Sequence, residues 1–417
     1  MFNWTGNHKI GILGTSNCGK TVFLTSLLWH LDAHDRDKFD SPQITDCEII
    51  SDKDKEFNYI KNKNIFAQFK KWPDKTTDYA KVTCKYKRED CFLTRNVTFI
   101  DIPGERMSDI QIWQSKNYAE WSDTLFKYWD NEPSLKNIVQ TFCDKLEKIE
   151  LKEETVIRLY KDLLKAFILN YSPITPSTYY LAENGTMLSE EDIEGNNYYN
   201  KAIWEYGDFA PLPQKFRTGK LTKIFENRYK NYKKKVIKPL FDEINSCDNF
   251  IVCVDIFDIL NAGRQALYKC EYEIKTFFDK VKPNKFMSLY NHIGKNPPRI
   301  AFVATKSDLV TGENLDKLNT LLDKLVLRCK SKDIKSKSFT CSAFRSTRID
   351  ERGTVIGMCD DGNNYEVVAK LPNEWPLNWS SEQYCFWTVS PGDYNNAPPA
   401  QTNLDKIFHF ITEDQDK

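Results

Sequence analysis

The 417-residue sequence lacks several features that would assign it to a particular class of protein. Lys plus Arg and Asp plus Glu both number 59, so no net charge would draw the chain to nucleic acid or to an anionic membrane. No apolar run is long enough to cross a bilayer, and the stretch Phe250 to Leu260 is interrupted by Asp255 and Asp258. The first residues show no apolar core of a signal peptide. We therefore expect a soluble, cytoplasmic protein without a nucleic-acid partner.

The twelve cysteines lack the spacing of a metal site. They stand singly along the chain, with no CxxC pair and no Cys/His pattern typical of zinc. Free thiols in a reducing compartment are the simplest account. The length favours two to three domains, or one domain with large insertions.

Short apolar runs rich in β-forming residues predict the strands of an α/β fold. The runs are Lys9 to Leu13, Val97 to Ile102, Phe250 to Ile256, Ile300 to Thr305 and Phe339 to Ser342. The alternating segment Tyr79 to Tyr86 adds a half-exposed strand, which gives a mixed six-stranded sheet. In such sheets ligands bind beyond the carboxyl ends of the strands.

A helical insertion is predicted between Ile110 and Cys247, where apolar positions recur near helical spacing. Ser134 to Leu151 and Glu154 to Leu169 are its clearest helices. Prolines in Phe209 to Pro213 forbid a regular helix and predict an extended loop packed on another segment; a connector, the usual role of proline-rich loops, is the alternative.

The end of the chain has a different character, rich in Gly, Asn, Trp and Pro after Arg348. Gly353 to Met358 and Tyr365 to Ala369 flank the turn Asp360 to Asn363, which predicts a small β hairpin appended to the sheet. Leu404 to Ile411 predicts a closing helix.

The segment Gly14 to Thr21 is a full match to GxxxxGK[ST], with a predicted strand before it and a helical run after it. In this motif the glycines let successive N–H groups and the helix N-terminus point at phosphate oxygens. Lys20 would reach the β- and γ-phosphates, and Thr21 would bind Mg²⁺. The residues expected around the phosphates are Gly14, Ser16, Asn17, Cys18, Gly19, Lys20, Thr21 and Val22.

Asp101-Ile102-Pro103-Gly104 ends a predicted strand about 80 residues after this loop, as a Walker B strand does. Asp101 would hold Mg²⁺ through water, and the N–H of Gly104 would contact the γ-phosphate. The alternative is a turn with no ligand.

The segment Thr305-Lys306-Ser307-Asp308 is similar to the [NT]KxD element of GTPases. The Asp308 carboxylate would accept hydrogen bonds from guanine, whereas adenine offers an acceptor there and leaves a buried carboxylate unpaired. Lys306 would lie along the base, and Thr305 replaces the commoner Asn. The alternative is a helix N-cap. After the last predicted strand, Ser342 and Ala343 match an SAx element whose backbone contacts guanine.

A switch threonine binds Mg²⁺ only when the γ-phosphate is present. Thr76 lies just before the second predicted strand, where the loop that carries such a threonine is expected, and Thr77 is an equally suitable candidate by residue type. Glu105 follows Gly104 where Ras-like proteins have Gln, and as an acid it would be repelled by the γ-phosphate. Slow hydrolysis is therefore expected. Arg36 and Arg106 are residues of the type that stabilises transition-state charge, although a solvated surface position fits either one.

The order of GTSNCGKT, WPDKT, DIPGE, FAPLP, IVCVDIFDILNAG, ATKSD and SAFRST resembles the YcjX-like family of bacterial P-loop NTPases over most of the chain. The resemblance implies a Ras-like core interrupted by a helical domain. It also implies a stress-associated role and a membrane-protein partner that would hold the chain at the inner membrane. GTP/GDP and Mg²⁺ would bind at Gly14 to Thr21, Thr76, Asp101, Gly104 and Lys306 to Asp308.

The sequence thus predicts a GTP-binding switch with slow Mg²⁺-dependent hydrolysis, in which Lys20, Thr76, Gly104 and Glu105 act on the γ-phosphate. An ATPase, or a nucleotide-dependent scaffold with negligible turnover, remains an alternative. The predicted parts are 1–110 and 247–348 as the two halves of the nucleotide-binding domain, 111–246 as the insertion, and 349–417 as the β-rich appendage with its closing helix.

Overall fold

The computed structural model describes residues 7–34, 39, 44–69, 71–73, 78–89, 91–169, 174–177, 206–280, 298–329, 335–359, 363–367, 370–381, 383–391 and 397–413. The chain forms two compact units. The first is Met1–Gly104 with Ile244–Lys417, and the second is Glu105–Glu243. The chain therefore leaves the first unit directly after Gly104 and re-enters it at Ile244.

A seven-stranded mixed sheet forms the centre of the first unit. Its strands are β1 Asn7–Gly14, β2 Ile44–Ser51, β3 Ala80–Arg88, β4 Cys91–Asp101, β5 Asn249–Val254, β6 Arg299–Ala304 and β7 Lys335–Thr340. They are ordered β2-β3-β4-β1-β5-β6-β7. The five strands from β4 to β7 in this order run parallel, and β2 and β3 pair antiparallel at one edge.

The predicted α/β fold is confirmed, and the sheet has one strand more than the six expected. β5 and β6 are buried along their whole length, which explains their continuous apolar sequences. The additional strand β2 lies at the edge and alternates between exposed and partly buried residues. Because it has a neighbour on one side only, its sequence carries no strong apolar signal.

Helices surround the sheet in the first unit and make up most of the second. They are α1 Lys20–Asp32, α2 Tyr59–Asn64, α3 Ile110–Gln114, α4 Tyr118–Asp130, α5 Pro133–Lys148, α6 Glu153–Leu169, α7 Gly219–Tyr232, α8 Lys238–Asn245, α9 Ile256–Ala262, α10 Arg264–Lys280, α11 Glu313–Cys329 and α12 Leu404–Thr412. The helices predicted in the insertion and at the end of the chain are present. No helix in the described ranges is both long and apolar enough to cross a membrane.

The second unit has a core of its own, rich in aromatic side chains. Phe209, Ala210 and Leu212 are fully buried in it, and the Phe209 ring lies 5.2 Å from that of Trp121. The hydroxyl of Tyr118 donates to the carbonyl of Ala210 at 2.6 Å. The prediction of a packed loop at Phe209 to Pro213 is therefore confirmed, and the alternative of a mere connector is wrong, because this segment is part of the core of the unit.

A separate three-stranded antiparallel sheet follows β7. Its strands are β8 Thr347–Ile349, β9 Val355–Met358 and β10 Asn364–Glu366, in the order β10-β9-β8. The predicted hairpin is confirmed in β9 and β10, which pair antiparallel. The structure adds two corrections to the prediction of a hairpin joined to the main sheet. β8 adds a third strand, and the small sheet does not continue the large one. The residues Asp360 to Gly362 of the predicted turn lie outside the described residues.

Candidate functional site

The carboxyl ends of the five parallel strands meet at one edge of the sheet, and the predicted site residues follow these ends. The phosphate-loop motif follows β1, Asp101 ends β4, Asp255 follows β5, Lys306 lies beyond β6 and Ser342 beyond β7. The topology therefore brings motifs that are as far apart in the chain as Gly14 and Ser342 to one edge of the sheet.

The loop between β1 and α1 folds tightly because three of its residues have positive φ angles, namely Gly14, Asn17 and Gly19. At Gly14 an added Cβ would lie 2.2 Å from the carbonyl oxygen of Cys253 on the neighbouring strand, so only glycine fits there. α1 begins at Lys20, so the positive end of the helix dipole lies directly after the loop. Such a turn followed by a helix N-terminus is a phosphate-binding arrangement.

The side chain of Lys20 is 6% exposed and folds back across this loop. Its Nζ donates to the carbonyl oxygens of Gly14 at 3.0 Å and Thr15 at 2.8 Å. Cys18 lies beneath the loop, and burial raises the pKa of its thiol. A protonated, buried thiol fills space, which favours that role over a redox-sensitive one.

Thr21 and Asp101 meet as a metal site would require. The Thr21 hydroxyl donates to Asp101 Oδ2 at 3.1 Å, and Asp101 is fully buried at the end of β4. A hydroxyl and a carboxylate are oxygen ligands of the kind that Mg²⁺ prefers, so this pair fits the expected ion. Thr21 would bind Mg²⁺ directly, and Asp101 would hold the ion through a water molecule of its coordination shell.

Gly104 lies directly against the phosphate loop. A Cβ added to it would lie 2.5 Å from the backbone nitrogen of Ser16 and the carbonyl carbon of Thr15, and 2.6 Å from the carbonyl oxygen of Gly14. These atoms belong to the backbone and cannot rotate away. The Gly104 backbone therefore packs directly on the backbone of the phosphate loop.

The loop beyond β6 is fixed by hydrogen bonds to both neighbouring strands. Thr305 donates from its N–H at 3.0 Å and from its hydroxyl at 3.3 Å to the carbonyl of Val254. Ser307 donates its N–H to Cys341 at 3.1 Å. Lys306, between them, has a left-handed backbone with φ 59°.

The carboxylate of Asp308 is held from the segment that follows β7. Oδ1 accepts from the Ser342 hydroxyl, and Oδ2 from the Ser346 N–H, both at 2.9 Å. The Thr347 hydroxyl donates to the Asp308 carbonyl at 2.6 Å. Burial raises the pKa of Asp308, although these hydrogen bonds oppose the rise.

The alternative interpretation of Asp308 as a surface N-cap is wrong, because its carboxylate accepts from the loop beyond β7 and α11 begins only at Glu313. Ser346 and Thr347, which hold Asp308, were missed at the level of sequence. Their position just after the SAx element was the available signal. The neighbouring Ala343 contributes its backbone, since its carbonyl accepts from the Ser26 hydroxyl of α1.

Asp255 is a further residue that the sequence motifs did not identify. It is 2% exposed, and its Oδ2 lies 2.5 Å from Nζ of Lys306. Burial alone would lower the pKa of Lys306, but the carboxylates of Asp255 and Asp258 raise it above its ordinary value. The predicted strand was extended through Asp255 to Ile256, whereas β5 ends at Val254.

Aromatic side chains support the loop beyond β7 from the other side. The ring of Phe344 lies 4.6 Å from that of Phe66 and 5.6 Å from that of Trp72. The indole N–H of Trp72 donates to the carbonyl of Val389 at 2.9 Å. This cluster joins the segment around Phe66 and Trp72 to the loop beyond β7.

Several predicted residues are not placed at this edge by the structure. Thr76, Thr77 and Arg36 lie outside the described residues. Glu105 is the first residue of the second unit. Arg106 is buried in that unit and pairs with Asp109 at 3.4 Å, so the expectation of a solvated surface arginine is wrong.

A phosphate loop, a carboxylate at the end of β4 and a mixed sheet with parallel central strands define a P-loop NTPase. The sequence model of the YcjX-like family (DUF463) matches residues 8–415, and the chain belongs to this family. It is also similar to a protein of Shewanella oneidensis named Ras-like GTPase YcjX. The two are 21% identical over 366 residues, which cover 81% of this chain and 74% of that protein.

Proposed function

We propose that the protein binds GTP and GDP with Mg²⁺ at this edge of the sheet and hydrolyses GTP slowly, as a nucleotide-dependent switch. The observation that carries the proposal is the fixed Asp308 carboxylate, which lies beyond β6 on the same edge as the phosphate loop. A carboxylate held this way accepts the N1–H and the amino group of guanine, and adenine has no amino group there. The name of the relative from Shewanella oneidensis agrees with this class of ligand.

The roles follow the chemistry of each group. Lys20 would stabilise the charge of the β- and γ-phosphates, and Thr21 with Asp101 would hold Mg²⁺. The Gly104 N–H would sense the γ-phosphate, and Thr76 would complete the metal shell in the triphosphate state.

The slow rate is proposed from Glu105. A carboxylate in the place of a neutral amide is repelled by the γ-phosphate and orients the attacking water poorly. The association with stress and with a membrane-protein partner is proposed on the family resemblance alone.

The test is a titration of fluorescent GDP and ADP in the presence of Mg²⁺. We expect GDP to bind tightly and ADP to bind at least 100-fold more weakly, which corresponds to a difference in binding free energy of about 2.7 kcal/mol. Lys20→Ala should weaken both nucleotides, whereas Asp308→Ala should remove only the preference for GDP. Asp323→Ala, at an exposed position of α11, is the matched control and should bind as the wild type does.

Each alternative has its own outcome. Equal binding of GDP and ADP that is indifferent to Asp308→Ala would establish the ATPase. Tight GDP binding without multiple turnover of GTP would establish the scaffold. The absence of binding by either nucleotide would contradict both the switch and these alternatives.

A further inference from the structure

Asp255 follows β5 directly, and its two carboxylate oxygens bind two different elements, the helix α9 and the loop beyond β6. Oδ1 accepts the N–H of Asp258 at 3.1 Å and so caps the first turn of α9. Oδ2 pairs with Nζ of Lys306 at 2.5 Å. The carboxylate is 2% exposed, so each oxygen is committed to one partner and the side chain has one orientation.

The Lys306 side chain is the more exposed member of this pair, at 43%. Lysine is flexible, with four rotatable bonds in its stem, and a free surface lysine samples many rotamers. An ion pair with a buried, oriented carboxylate restricts those rotamers before any ligand arrives. The entropy cost of ordering this side chain is then already met in the free protein.

The backbone around the pair is fixed in the same way. Thr305 donates twice to Val254, the residue before Asp255, and Ser307 donates to Cys341. The contacts thus run from α9 through Asp255 to Lys306, which lies two positions before Asp308 in the same loop. A base stacked along the stem of Lys306 would meet a side chain that cannot swing away.

We propose that Asp255 is a positioning residue of the base site, which holds Lys306 in the conformation that covers the face of the bound base. The proposal rests on the proposed guanine-nucleotide function. It assigns Asp255 no contact with the nucleotide. Its effect therefore has to pass through Lys306, which makes it separable from a purely structural effect.

A double-mutant cycle on GDP affinity tests this dependence. Asp255→Asn keeps an oxygen for the N-cap and removes the charge, and Asp255→Ser is a second capping variant in case the first one folds poorly. Either change should weaken GDP binding about 10-fold, which corresponds to about 1.4 kcal/mol. Lys306→Met should have a similar effect. The double variant should bind no more weakly than the weaker single variant.

Two further readouts separate positioning from damage to the fold. The melting temperature of the Asp255 variants should stay near that of the wild type. The dissociation constant of inorganic triphosphate with Mg²⁺, which has no base, should be the same for the wild type and all variants. Asp323→Asn, on an exposed part of α11, is the control for loss of one negative charge and should leave every readout unchanged.

The outcomes that overturn the inference are distinct from failure of the proposed function. If the wild type binds GDP and both Asp255 variants bind it equally well, Asp255 does not position the base site. Additive losses for Asp255 and Lys306 would show that Asp255 acts by another route. A wild type that binds no guanine nucleotide would instead refute the proposed function.

Discussion

At the scale of single residues, Gly104 is the position where the smallest change should have the largest effect. The Cβ of Gly104→Ala would meet backbone atoms of Thr15 and Ser16 at 2.5 Å. Because neither backbone can give way without reshaping the phosphate loop, we expect GDP affinity to fall by about 100-fold or more, or about 2.7 kcal/mol. The measurement is a GDP titration alongside a melting curve.

Gly11→Ala is the comparison for this prediction. Its added carbon would meet side-chain atoms of Phe250 at 2.8 Å and of Cys247 at 3.2 Å, which can shift. It should lower stability while leaving nucleotide affinity within a few-fold. Normal GDP binding by Gly104→Ala would contradict the prediction, because it would show that the phosphate loop can shift away from the added Cβ and still bind nucleotide.

The raised pKa of Asp308 gives a pH dependence that belongs to the same scale. Burial favours the protonated form, so Asp308 takes up its proton at a higher pH than an exposed aspartate does. Guanine recognition needs the carboxylate as an acceptor. The preference for GDP over ADP should therefore be complete above the pKa that Asp308 has in the folded protein. It should decline as the pH falls through this pKa, and the decline should begin above the usual pKa range of aspartate.

The measurement is the ratio of GDP affinity to ADP affinity between about pH 4 and pH 8, a range that includes the titration of ordinary carboxyl groups. The ratio isolates the effect of Asp308, because protonation of the phosphates changes the binding of both nucleotides alike. In Asp308→Ala the ratio should be flat with pH. A ratio that is equally flat in the wild type would contradict the role of this carboxylate.

Which site residues could be found from sequence follows from how they act. Lys20, Thr21 and Asp308 belong to motifs whose spacing is set by the ligand, so their pattern is visible in one chain. Asp255 acts through Lys306, which is distant in the sequence, and no local sequence pattern indicates such a pair. The assignments of ligand contacts themselves stay predictions.

At the scale of elements, the segment 371–391 depends on α9. Asn261 donates from Nδ2 to the carbonyl of Phe386 at 3.1 Å, and its Oδ1 accepts the Phe386 N–H at 2.8 Å. The indole of Trp379 adds a bond to the carbonyl of Leu260 at 3.0 Å. One amide side chain thus satisfies both backbone groups of a residue that belongs to no strand or helix.

Asn261→Ala should lower the free energy of unfolding by about 1–3 kcal/mol, because it leaves two backbone groups of Phe386 without this partner. Urea unfolding is the measurement. Asn261→Asp keeps the acceptor for the N–H but turns a carboxylate oxygen toward the Phe386 carbonyl, so we expect a loss at least as large as that of the alanine variant. A loss below about 0.5 kcal/mol for the alanine variant would mean that water replaces the amide.

Elements were predicted where burial leaves a continuous or periodic apolar pattern. β5, β6, α5 and α6 were found because their apolar residues repeat with the period of the element. The edge strand β2 was missed because, of its eight residues, Ile44 alone is buried and no apolar alternation results. The three-residue strand β8 was missed because its partner β9, and not its own composition, makes it a strand.

At the scale of the whole molecule, the second unit has the features of an independent folding unit of about 140 residues. Its aromatic core is drawn from within 105–243. The same holds for its buried polar cluster, in which Asp109 accepts from the Ser177 N–H at 2.8 Å, from the Tyr232 hydroxyl at 3.2 Å and from Arg106 at 3.4 Å. None of these partners lies in the first unit.

We therefore predict that a fragment of residues 105–243 folds alone and unfolds in one cooperative thermal transition. Asp109→Ala in this fragment should lower its free energy of unfolding by about 3–5 kcal/mol, because the buried charge of Arg106 loses its partner. Asp162→Ala, at an exposed position of α6, should cost less than about 0.5 kcal/mol. A fragment without a transition would show that its core is completed by the first unit, and the insertion would then be a part of one folding domain.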